Sequence, residues 1–549
     1  MERLWCLLGV VLLALIGGAL VAVLVLRPWD ANTGHQRYPR AAVAANGYEC
    51  ASVGRISKLP LWSVCMAGSQ LDIGAGALWR VGVMLAVTLD FATSASILKP
   101  VLELERYPHA GVAANGIECA SVGRAILQKN GSAVDAAIAT LFCEGIACAQ
   151  CMGLGGGFLA TIYDASTGQV RVLNARERAP AATTENMFEN ASSTIGGLAI
   201  AVPGELRGYG ALYREYGRLP WRDLVKPTAD LCHSGHQVNS YMAREVWHEG
   251  NIIVEPTLAR TLDIIAEEGP EAIHNGSLTA QLVRDIREFG GIITEDDLRN
   301  YKVEWQEPIS VQLDDEHKLY ANPLPGSGSV LAFMLNMLRG YVGTPEAPQG
   351  SDLYWHRVRN MSNPAWAEEF RHLVDDARTY NDWRHYGALY EGADDHGTAH
   401  AVVVAPDGSV VSITSTINYI WGCQRRSKSL GIMLNNEMDD FAIPNTSSSY
   451  GLPPSPANML APGYNPLSSM VPSIVLNRDG DAVLVAGGAG GTKITTQVAL
   501  VVRNVILEGQ SLPDSMSRPR LHHQLLPMEV QYEEDFDAVT ILYSSNESR

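Results

Sequence analysis

The sequence carries little positive charge for its size. Its 41 Lys and Arg residues face 59 Asp and Glu residues, which gives a net charge of −18. No basic stripe offsets this balance, which argues against nucleic acid as the main partner. Cysteine is also sparse, with nine in 549 residues, so the chain is not a miniprotein held together by disulfides. Hydrophobic residues make up 46% of the chain, as is typical of globular proteins.

One long hydrophobic segment is present, close to the N-terminus. Leu4 to Leu26 contains 23 residues without a charge, which is long enough to cross a bilayer. We expect a membrane anchor here, with residues 1–3 as a short tail. A cleaved signal peptide is the alternative, although its apolar core is usually shorter. Arg3 and Arg27 flank the segment almost symmetrically, so basic residues alone do not decide its orientation.

The chain contains six Asn-x-Ser/Thr sequences, which are acceptors for N-linked glycans in secreted or lumenal proteins. They begin at Asn130, Asn190, Asn275, Asn360, Asn445 and Asn546. Their presence is compatible with a body that lies outside the cytoplasm.

A repeat marks the region that follows the hydrophobic segment. Arg37 to Arg55 and Arg106 to Arg124 are identical at 16 of 19 positions. Two copies do not make a solenoid. Only the second copy leads into a clear helix, which Ser132 is expected to cap and which runs over Ala133–Cys143. We therefore interpret residues 27–105 as a linker with a partial repeat and an insertion.

The rest of the chain alternates strand and helix patterns. Three hairpins are predicted, each with a turn that contains glycine: Phe158–Tyr163 with Val170–Leu173, Ala401–Val404 with Val410–Thr416, and Ser473–Leu476 with Ala482–Val485. A helix is predicted from Thr492 to Glu508, ended by Gly509. Antiparallel hairpins with helices packed outside indicate an α+β layered fold.

The dipeptide Gly397–Thr398 lies just before one of these strands. A hydroxyl residue that opens a strand after a turn is typical of chains that cut themselves and use the new N-terminal residue as nucleophile. The free amine would remove the proton from the Thr398 hydroxyl, and its ordinary pKa of about 7.7–8.0 suits a general base near neutral pH. An ordinary turn and strand is the alternative interpretation of these residues taken alone.

A second glycine-rich turn precedes the helix predicted from Thr492. No Gly-Lys-Ser/Thr follows Gly487–Gly491, so it is not a phosphate-binding P-loop. Backbone N–H groups beside a helix start suit an anion, and in acyl transfer that anion is the tetrahedral oxyanion. Glycines needed only for close packing are the alternative.

Three further clusters have the chemistry to bind an amino-acid group. Arg176 has the guanidinium to hold a carboxylate through two hydrogen bonds. The run Asn435–Asp440 is acidic and rich in amides, which suits an ammonium group. Ser468 and Ser469 offer two hydroxyl donors. Each cluster alone is also consistent with a capped turn or a solvated surface.

Taken together, these motifs resemble one family. Their order and spacing resemble those of the γ-glutamyltransferases (glutathione hydrolases), and the resemblance covers roughly residues 106–527. It is closest to the mammalian membrane-bound enzymes. The motifs are Thr398–His400, Thr414–Asn418, Asn435–Asp440, Pro466–Met470 and Gly487–Thr492, with MGLGGG, NARE and AVPGE upstream.

The resemblance implies a fold and a set of roles. The fold would be the N-terminal-nucleophile hydrolase sandwich, with four αββα layers and stacked antiparallel sheets. Thr398 would follow the cleavage point at Gly397 and act as nucleophile, with Thr416 beside it and the N–H groups of Gly490 and Gly491 as oxyanion hole. Substrate would be held by Arg176, Asn418, Glu437, Asp440, Ser468 and Ser469.

It also implies partners and organisation. A γ-glutamyl ester on Thr398 would form from glutathione or another γ-glutamyl compound and pass to water, an amino acid or a dipeptide, with no metal or organic cofactor. Residues 106–397 and 398–549 would be the large and small subunits of one precursor. A single span at residues 4–26 would contact membrane lipid and leave the catalytic body outside the plasma membrane, in type II orientation. Cys119 and Cys143 match a family disulfide, with a buried free pair as the alternative.

Some segments depart from the family pattern. Cys148 and Cys151 have the spacing of a redox or zinc half-site, but nothing in the sequence completes such a site, and we treat them as incidental. The regions Val246–Ile265 and Tyr341–Asn360 are shorter than the family pattern, and we expect the small subunit to be shortened at its C-terminus. The alternatives are therefore an uncleaved, inactive membrane glycoprotein, or an amidase of the same fold for another acyl group.

Overall fold

The computed structural model describes residues 110–239, 241–244, 247–338, 397–444, 454–524, 529–533 and 536. Among these residues, no helix has both the length and the apolar character to span a bilayer. The predicted anchor at residues 4–26 and the linker at residues 27–105 lie outside the described residues.

The described residues form short and medium strands interspersed with helices. The strands are β1 (Gly111–Ala113), β2 (Gly157–Asp164), β3 (Gln169–Ala175), β4 (His236–Gln237), β5 (Ile252–Ile253), β6 (Glu304–Gln306), β7 (Ile309–Gln312), β8 (His317–Ala321), β9 (Gly397–Val404), β10 (Val410–Asn418), β11 (Ser473–Asn477), β12 (Ala482–Ala486), β13 (Leu521–His522) and β14 (Gln531–Tyr532).

The α-helices are α1 (Ile117–Gln128), α2 (Ala133–Ala147), α3 (Glu205–Tyr216), α4 (Trp221–Ser234), α5 (Pro256–Glu268), α6 (Ala272–Asn275), α7 (Thr279–Glu288), α8 (Glu295–Asn300), α9 (Gly328–Leu338), α10 (Lys493–Val502) and α11 (Leu512–Ser517). Single 3₁₀ turns occur at Gly197–Ala199, Met242–Arg244, Glu437–Asp440 and Pro456–Asn458.

Two antiparallel sheets form the centre of the molecule. The larger has six strands in the order β1-β9-β10-β2-β3-β6, and the smaller has four in the order β12-β11-β8-β7. The three predicted hairpins are confirmed as β2–β3, β9–β10 and β11–β12. Because β9 and β10 lie in the interior of the larger sheet, every one of their residues is buried.

The two sheets stack face to face, with helices on both outer sides. Val402, Val404 and Val410 of the larger sheet pack against Ile474 and Val485 of the smaller one. The opposite face of the larger sheet packs on helices α2 to α7, and the opposite face of the smaller sheet packs on α9 and α10. These mixed α/β layers agree with the predicted α+β arrangement.

The helix boundaries differ from the sequence prediction in two places. Ser132 caps α2 as predicted, and Asp135 completes a capping box, but the helix continues to Ala147 because its whole length is buried. The helix predicted to end at Glu508 changes at Arg503 into a π-helical turn. There the Glu508 N–H donates to the Arg503 carbonyl five residues back, and the two side chains form an ion pair.

Candidate active site

The two predicted catalytic threonines face each other across a pair of central strands. Thr398 is the second residue of β9 and pairs in register with Thr416 of β10. Side chains alternate along a strand, so both hydroxyls lie on the face that carries Val402 and Val410, between the sheets. Thr398 is only 1% exposed. Strand pairing therefore positions the candidate nucleophile rigidly.

The Thr416 hydroxyl makes a specific contact with the predicted cleavage point. Its Oγ1 donates a hydrogen bond to the carbonyl oxygen of Gly397, the residue before Thr398. The Asn418 backbone N–H donates to the same Oγ1 at 2.8 Å, so the hydroxyl proton is directed toward the carbonyl. A donor in this position polarises the Gly397–Thr398 peptide for attack.

A bulge at the end of β10 links the threonines to the predicted substrate-binding residues. The register shifts between Thr416 and Asn418, and Asn418 has a positive φ of 69°, a conformation that Asn tolerates better than most residues. The Asn418 side chain donates to the Asn436 carbonyl at 3.1 Å. The next residue, Glu437, begins the 3₁₀ turn that carries Asp440.

Arg176 lies at the centre of a buried group of charges. It follows β3 directly, and its N–H is held by the Asn174 side chain at 2.9 Å. Its guanidinium contacts Glu437 and Asp440, each at 2.5 Å. It also donates to the carbonyl oxygens of Pro466 and Leu467. The structure thus brings together three of the six residues predicted to hold the substrate.

The carboxyl groups of this cluster outnumber its cation. Glu177 lies 4.0 Å from the Arg176 guanidinium and, like Glu437, is fully buried. With Asp440, three carboxyl groups surround one guanidinium. Burial raises the pKa of Glu177 to about 7 and also raises the pKa of Asp440. A second cation placed here would relieve the excess of negative charge.

Ser468 and Ser469 follow the carbonyl groups that hold Arg176. The Ser468 N–H donates to the Pro325 carbonyl at 2.8 Å, and the Ser468 hydroxyl accepts from the Met470 N–H at 3.2 Å. The Ser469 carbonyl accepts from the hydroxyl of Ser327 at 2.8 Å. The predicted pair of serines therefore lies on a fixed loop beside the charge cluster.

Gly490 and Gly491 form a sharp turn before α10. Their φ angles are 123° and 61°, which glycine adopts without the cost that a side chain adds. Among the described residues, neither N–H group donates to another protein group. The same segment reaches the threonine face through Gly487, where a side chain would collide with the ring of His400.

Two buried polar residues near the threonines were not predicted to have a role. Glu205 accepts hydrogen bonds from Ser415 Oγ at 2.9 Å and from the Tyr209 hydroxyl, and burial raises its pKa to about 8. His400 Nδ1 lies 2.8 Å from Thr414 Oγ1, and burial lowers its pKa to about 3. Glu205 belongs to the AVPGE segment, and His400 lies in the strand pattern that follows Thr398. Neither sequence feature indicates which side chains meet across strands.

The cysteines and glycan acceptors can also be located. Cys119 and Cys143 form a disulfide, whereas Cys148 and Cys151 are buried thiols that contact the Asn115 amide and the Tyr241 hydroxyl. Asn130, Asn190 and Asn275 are exposed, and the other three acceptors lie outside the described residues.

A solved structure shares the arrangement of layers. The crystal structure of cephalosporin acylase from Bacillus halodurans superimposes with a TM-score of 0.68 at 21% identity, covering 80% of this chain and 88% of that one. At this level of identity the likeness concerns the fold alone. The fold and the paired threonines define a protein with two stacked antiparallel sheets and a candidate hydroxyl nucleophile between them.

Sequence relatives define the family. The chain matches the gamma-glutamyltranspeptidase profile over residues 119–246, 241–360 and 355–543. It is 34% identical over 487 residues to the glutathione hydrolase 5 proenzyme of Homo sapiens, covering 76% of this chain and 83% of the relative. It is 37% identical over 486 residues to Scoloptoxin SSD14 of Scolopendra dehaani, covering 78% and 84%. The chain therefore belongs to the gamma-glutamyltranspeptidase family, as its motifs predicted.

Proposed function

We propose that this enzyme cleaves the γ-glutamyl bond of glutathione and related compounds and transfers the group to water, an amino acid or a dipeptide. The observation that carries the proposal is the contact between the Thr416 hydroxyl and the Gly397 carbonyl, across from Thr398. This contact matters for maturation, which produces the free Thr398 amine that catalysis uses.

Maturation would begin with attack of the Thr398 hydroxyl on the Gly397 carbonyl carbon. The new C–O bond replaces the C–N bond, and the hydroxyl proton passes to the departing amine. Water then hydrolyses the ester, which leaves a carboxylate on Gly397 and a free amine and hydroxyl on Thr398. Thr416 donates to the carbonyl oxygen as it gains negative charge, which lowers the barrier.

Catalysis would use the same hydroxyl with its own amine as base. Thr398 attacks the γ-carbonyl of the substrate, an ester forms, and the amine of the leaving group departs with a proton. The N–H groups of Gly490 and Gly491 are proposed to bind the oxyanion, since their positive φ angles leave both amides in a tight turn beside a helix start.

Recognition of the glutamyl group would rest on the buried charges. Arg176 is proposed to turn toward the α-carboxylate, with the hydroxyls of Ser468 and Ser469 beside it. The α-ammonium group would then lie between Glu437 and Asp440, with Asn418 at its edge. The composition of the cluster supports this, because its guanidinium can pair with the α-carboxylate and its carboxyl groups can accept from the α-ammonium group.

We also propose that residues 4–26 anchor the chain in the plasma membrane and that the catalytic body lies outside the cell. The disulfide Cys119–Cys143 is typical of an oxidising compartment, and three glycan acceptors are exposed. Treatment of intact cells with a peptide N-glycosidase should reduce the apparent mass of the protein. Glycans absent from the purified chain would contradict this assignment.

The activity is tested with γ-glutamyl-4-nitroanilide, whose hydrolysis releases a coloured amine. We expect release by the wild-type protein and none by Thr398→Ala. N-terminal sequencing of the smaller fragment should start at Thr398. A purified, folded protein that stays as one uncleaved chain and releases no amine would contradict the proposal.

A further inference from the structure

Two hydroxyl groups join the serine loop of the candidate active site to the helix that follows the glycine turn. The hydroxyl oxygens of Ser327 and Thr495 lie 2.7 Å apart, and Ser327 Oγ lies 2.8 Å from the Ser469 carbonyl oxygen. Because a hydroxyl has one proton, both contacts are hydrogen bonds only if Thr495 donates to Ser327 and Ser327 donates to Ser469. We call this pair of hydroxyls the hydroxyl bridge.

Ser327 occupies a position that usually caps a helix, but its hydroxyl does not do so. The Leu331 N–H of α9 donates to the Ser327 carbonyl at 2.9 Å, which places Ser327 just before the first turn. A serine here normally accepts from an N–H of that turn through its hydroxyl. Within the part of the chain that the structure describes, this hydroxyl bonds only to Ser469 and Thr495. The side chain therefore joins neighbouring segments instead of capping its own helix.

Backbone contacts hold Ser327 beside the two serines. The Ser468 N–H donates to the Pro325 carbonyl at 2.8 Å, and the Ser327 N–H donates to the Met470 carbonyl at 3.1 Å. These contacts lie on either side of Ser469 in the sequence. The Ser327 hydroxyl adds a third contact at Ser469 itself and continues to Thr495 of α10.

Thr495 lies within one turn of the proposed oxyanion donors. The Ile494 N–H donates to the Gly491 carbonyl at 3.0 Å, which joins the glycine turn to the first residues of α10. Thr495 is 6% exposed, so water has little access to its hydroxyl. The hydroxyl bridge thus connects the groups proposed to bind the two ends of a γ-glutamyl group, the α-carboxylate and the γ-carbonyl.

We propose that Ser327 and Thr495 are positioning residues that hold Ser468 and Ser469 in place for the α-carboxylate of the substrate. The inference rests on the proposed γ-glutamyl activity and extends it to two residues that act through Ser469. Helix α10 packs in the hydrophobic core beside the smaller sheet, so loss of the bridge releases the serine loop rather than the glycine turn. Binding of the carboxylate should weaken, while the chemistry at Thr398 continues.

The test compares two substrates that differ only in the α-carboxylate. γ-Glutamyl-4-nitroanilide carries this group, and 4-aminobutyryl-4-nitroanilide lacks it. In Ser327→Ala we expect KM for the first substrate to rise about threefold to tenfold, the effect of one lost hydrogen bond, with kcat nearly unchanged. The kcat/KM for the second substrate should equal the wild-type value, because it has no carboxylate for the serines to bind. KM does not depend on the fraction of the preparation that has matured.

Three further variants accompany Ser327→Ala. Thr495→Val keeps the shape of threonine without its hydroxyl and should also raise KM for γ-glutamyl-4-nitroanilide, whereas Thr495→Ser keeps the hydroxyl and should retain the wild-type KM. Thr261→Val is the matched control. Its hydroxyl is also buried on a helix and donates to the Leu430 carbonyl at 2.8 Å, but it lies on α5, which packs on the opposite face of the larger sheet. Its KM should be that of the wild type.

Unchanged KM values in Ser327→Ala and Thr495→Val, with wild-type hydrolysis intact, would overturn this inference alone. An equal fall in kcat/KM for both substrates would also overturn it, because a general distortion of the site does not distinguish them. Thr495→Val decides the question where Ser327→Ala does not fold. If the folded wild-type protein releases no amine from γ-glutamyl-4-nitroanilide, the proposed function fails and this inference fails with it.

Discussion

Replacing Thr416 by valine should slow self-cleavage while leaving the fold intact. Valine keeps the branched shape of threonine and fits the buried strand β10, but it cannot donate to the Gly397 carbonyl. Removal of one donor from a developing oxyanion costs roughly 10²–10³-fold in rate, or about 2.7–4 kcal/mol. The substitution also removes the acceptor for the Asn418 N–H, so the upper part of that range is expected.

The assay follows the conversion of a single chain into two fragments. Protein is synthesised as a labelled pulse, and samples taken over time are separated on a denaturing gel. Wild type should give fragments that end at Gly397 and begin at Thr398, and Thr416→Val should remain mostly uncleaved over the same period.

Thr416→Ser is the matched control. It retains the hydroxyl and should be processed within a few-fold of the wild-type rate. Circular dichroism and thermal unfolding of the valine variant establish that its fold persists. Processing of folded Thr416→Val at the wild-type rate would refute the reasoning, because the hydroxyl would then have no part in the cleavage.

Four other outcomes are expected. Thr398→Ala should stay uncleaved and inactive, whereas Thr398→Ser should process; a cleaved alanine variant would show that another group attacks Gly397. Arg176→Lys should raise KM for γ-glutamyl-4-nitroanilide about tenfold or more, because lysine cannot donate the two parallel hydrogen bonds that a guanidinium gives to a carboxylate. An unchanged KM would show that Arg176 does not bind the substrate. Gly490→Ala, at a φ of 123°, should lower kcat, whereas Gly168→Ala, at a φ of 69° in the β2–β3 turn, should not; equal effects would indicate general strain. Glu205→Gln should flatten the pH dependence of stability. The native carboxyl has a pKa of about 8 and the unfolded one about 4.3. The native state therefore keeps a proton that the unfolded state loses, and the free energy of unfolding falls by up to about 1.4 kcal/mol per pH unit across this window. Denaturant titrations at pH 5 and pH 8 measure the slope, and identical slopes in both proteins would contradict the assignment.

The sequence by itself determined the local elements and the family. Alternating apolar residues and glycine turns predicted the β2–β3, β9–β10 and β11–β12 hairpins, because side-chain period and turn conformation depend on near neighbours. The spacing from Thr398 to Gly491 gave the family, and the single motifs were ambiguous without that spacing.

Only the tertiary structure decided which of these residues meet. The Thr416 contact with Gly397 depends on strand register and on the bulge at Asn418, and a shift by one residue would turn Thr416 to the opposite face. Glu205 and Arg176 each contact a residue far away in sequence, Ser415 and Asp440 respectively. Their protonation and pairing follow from burial, which no local pattern encodes.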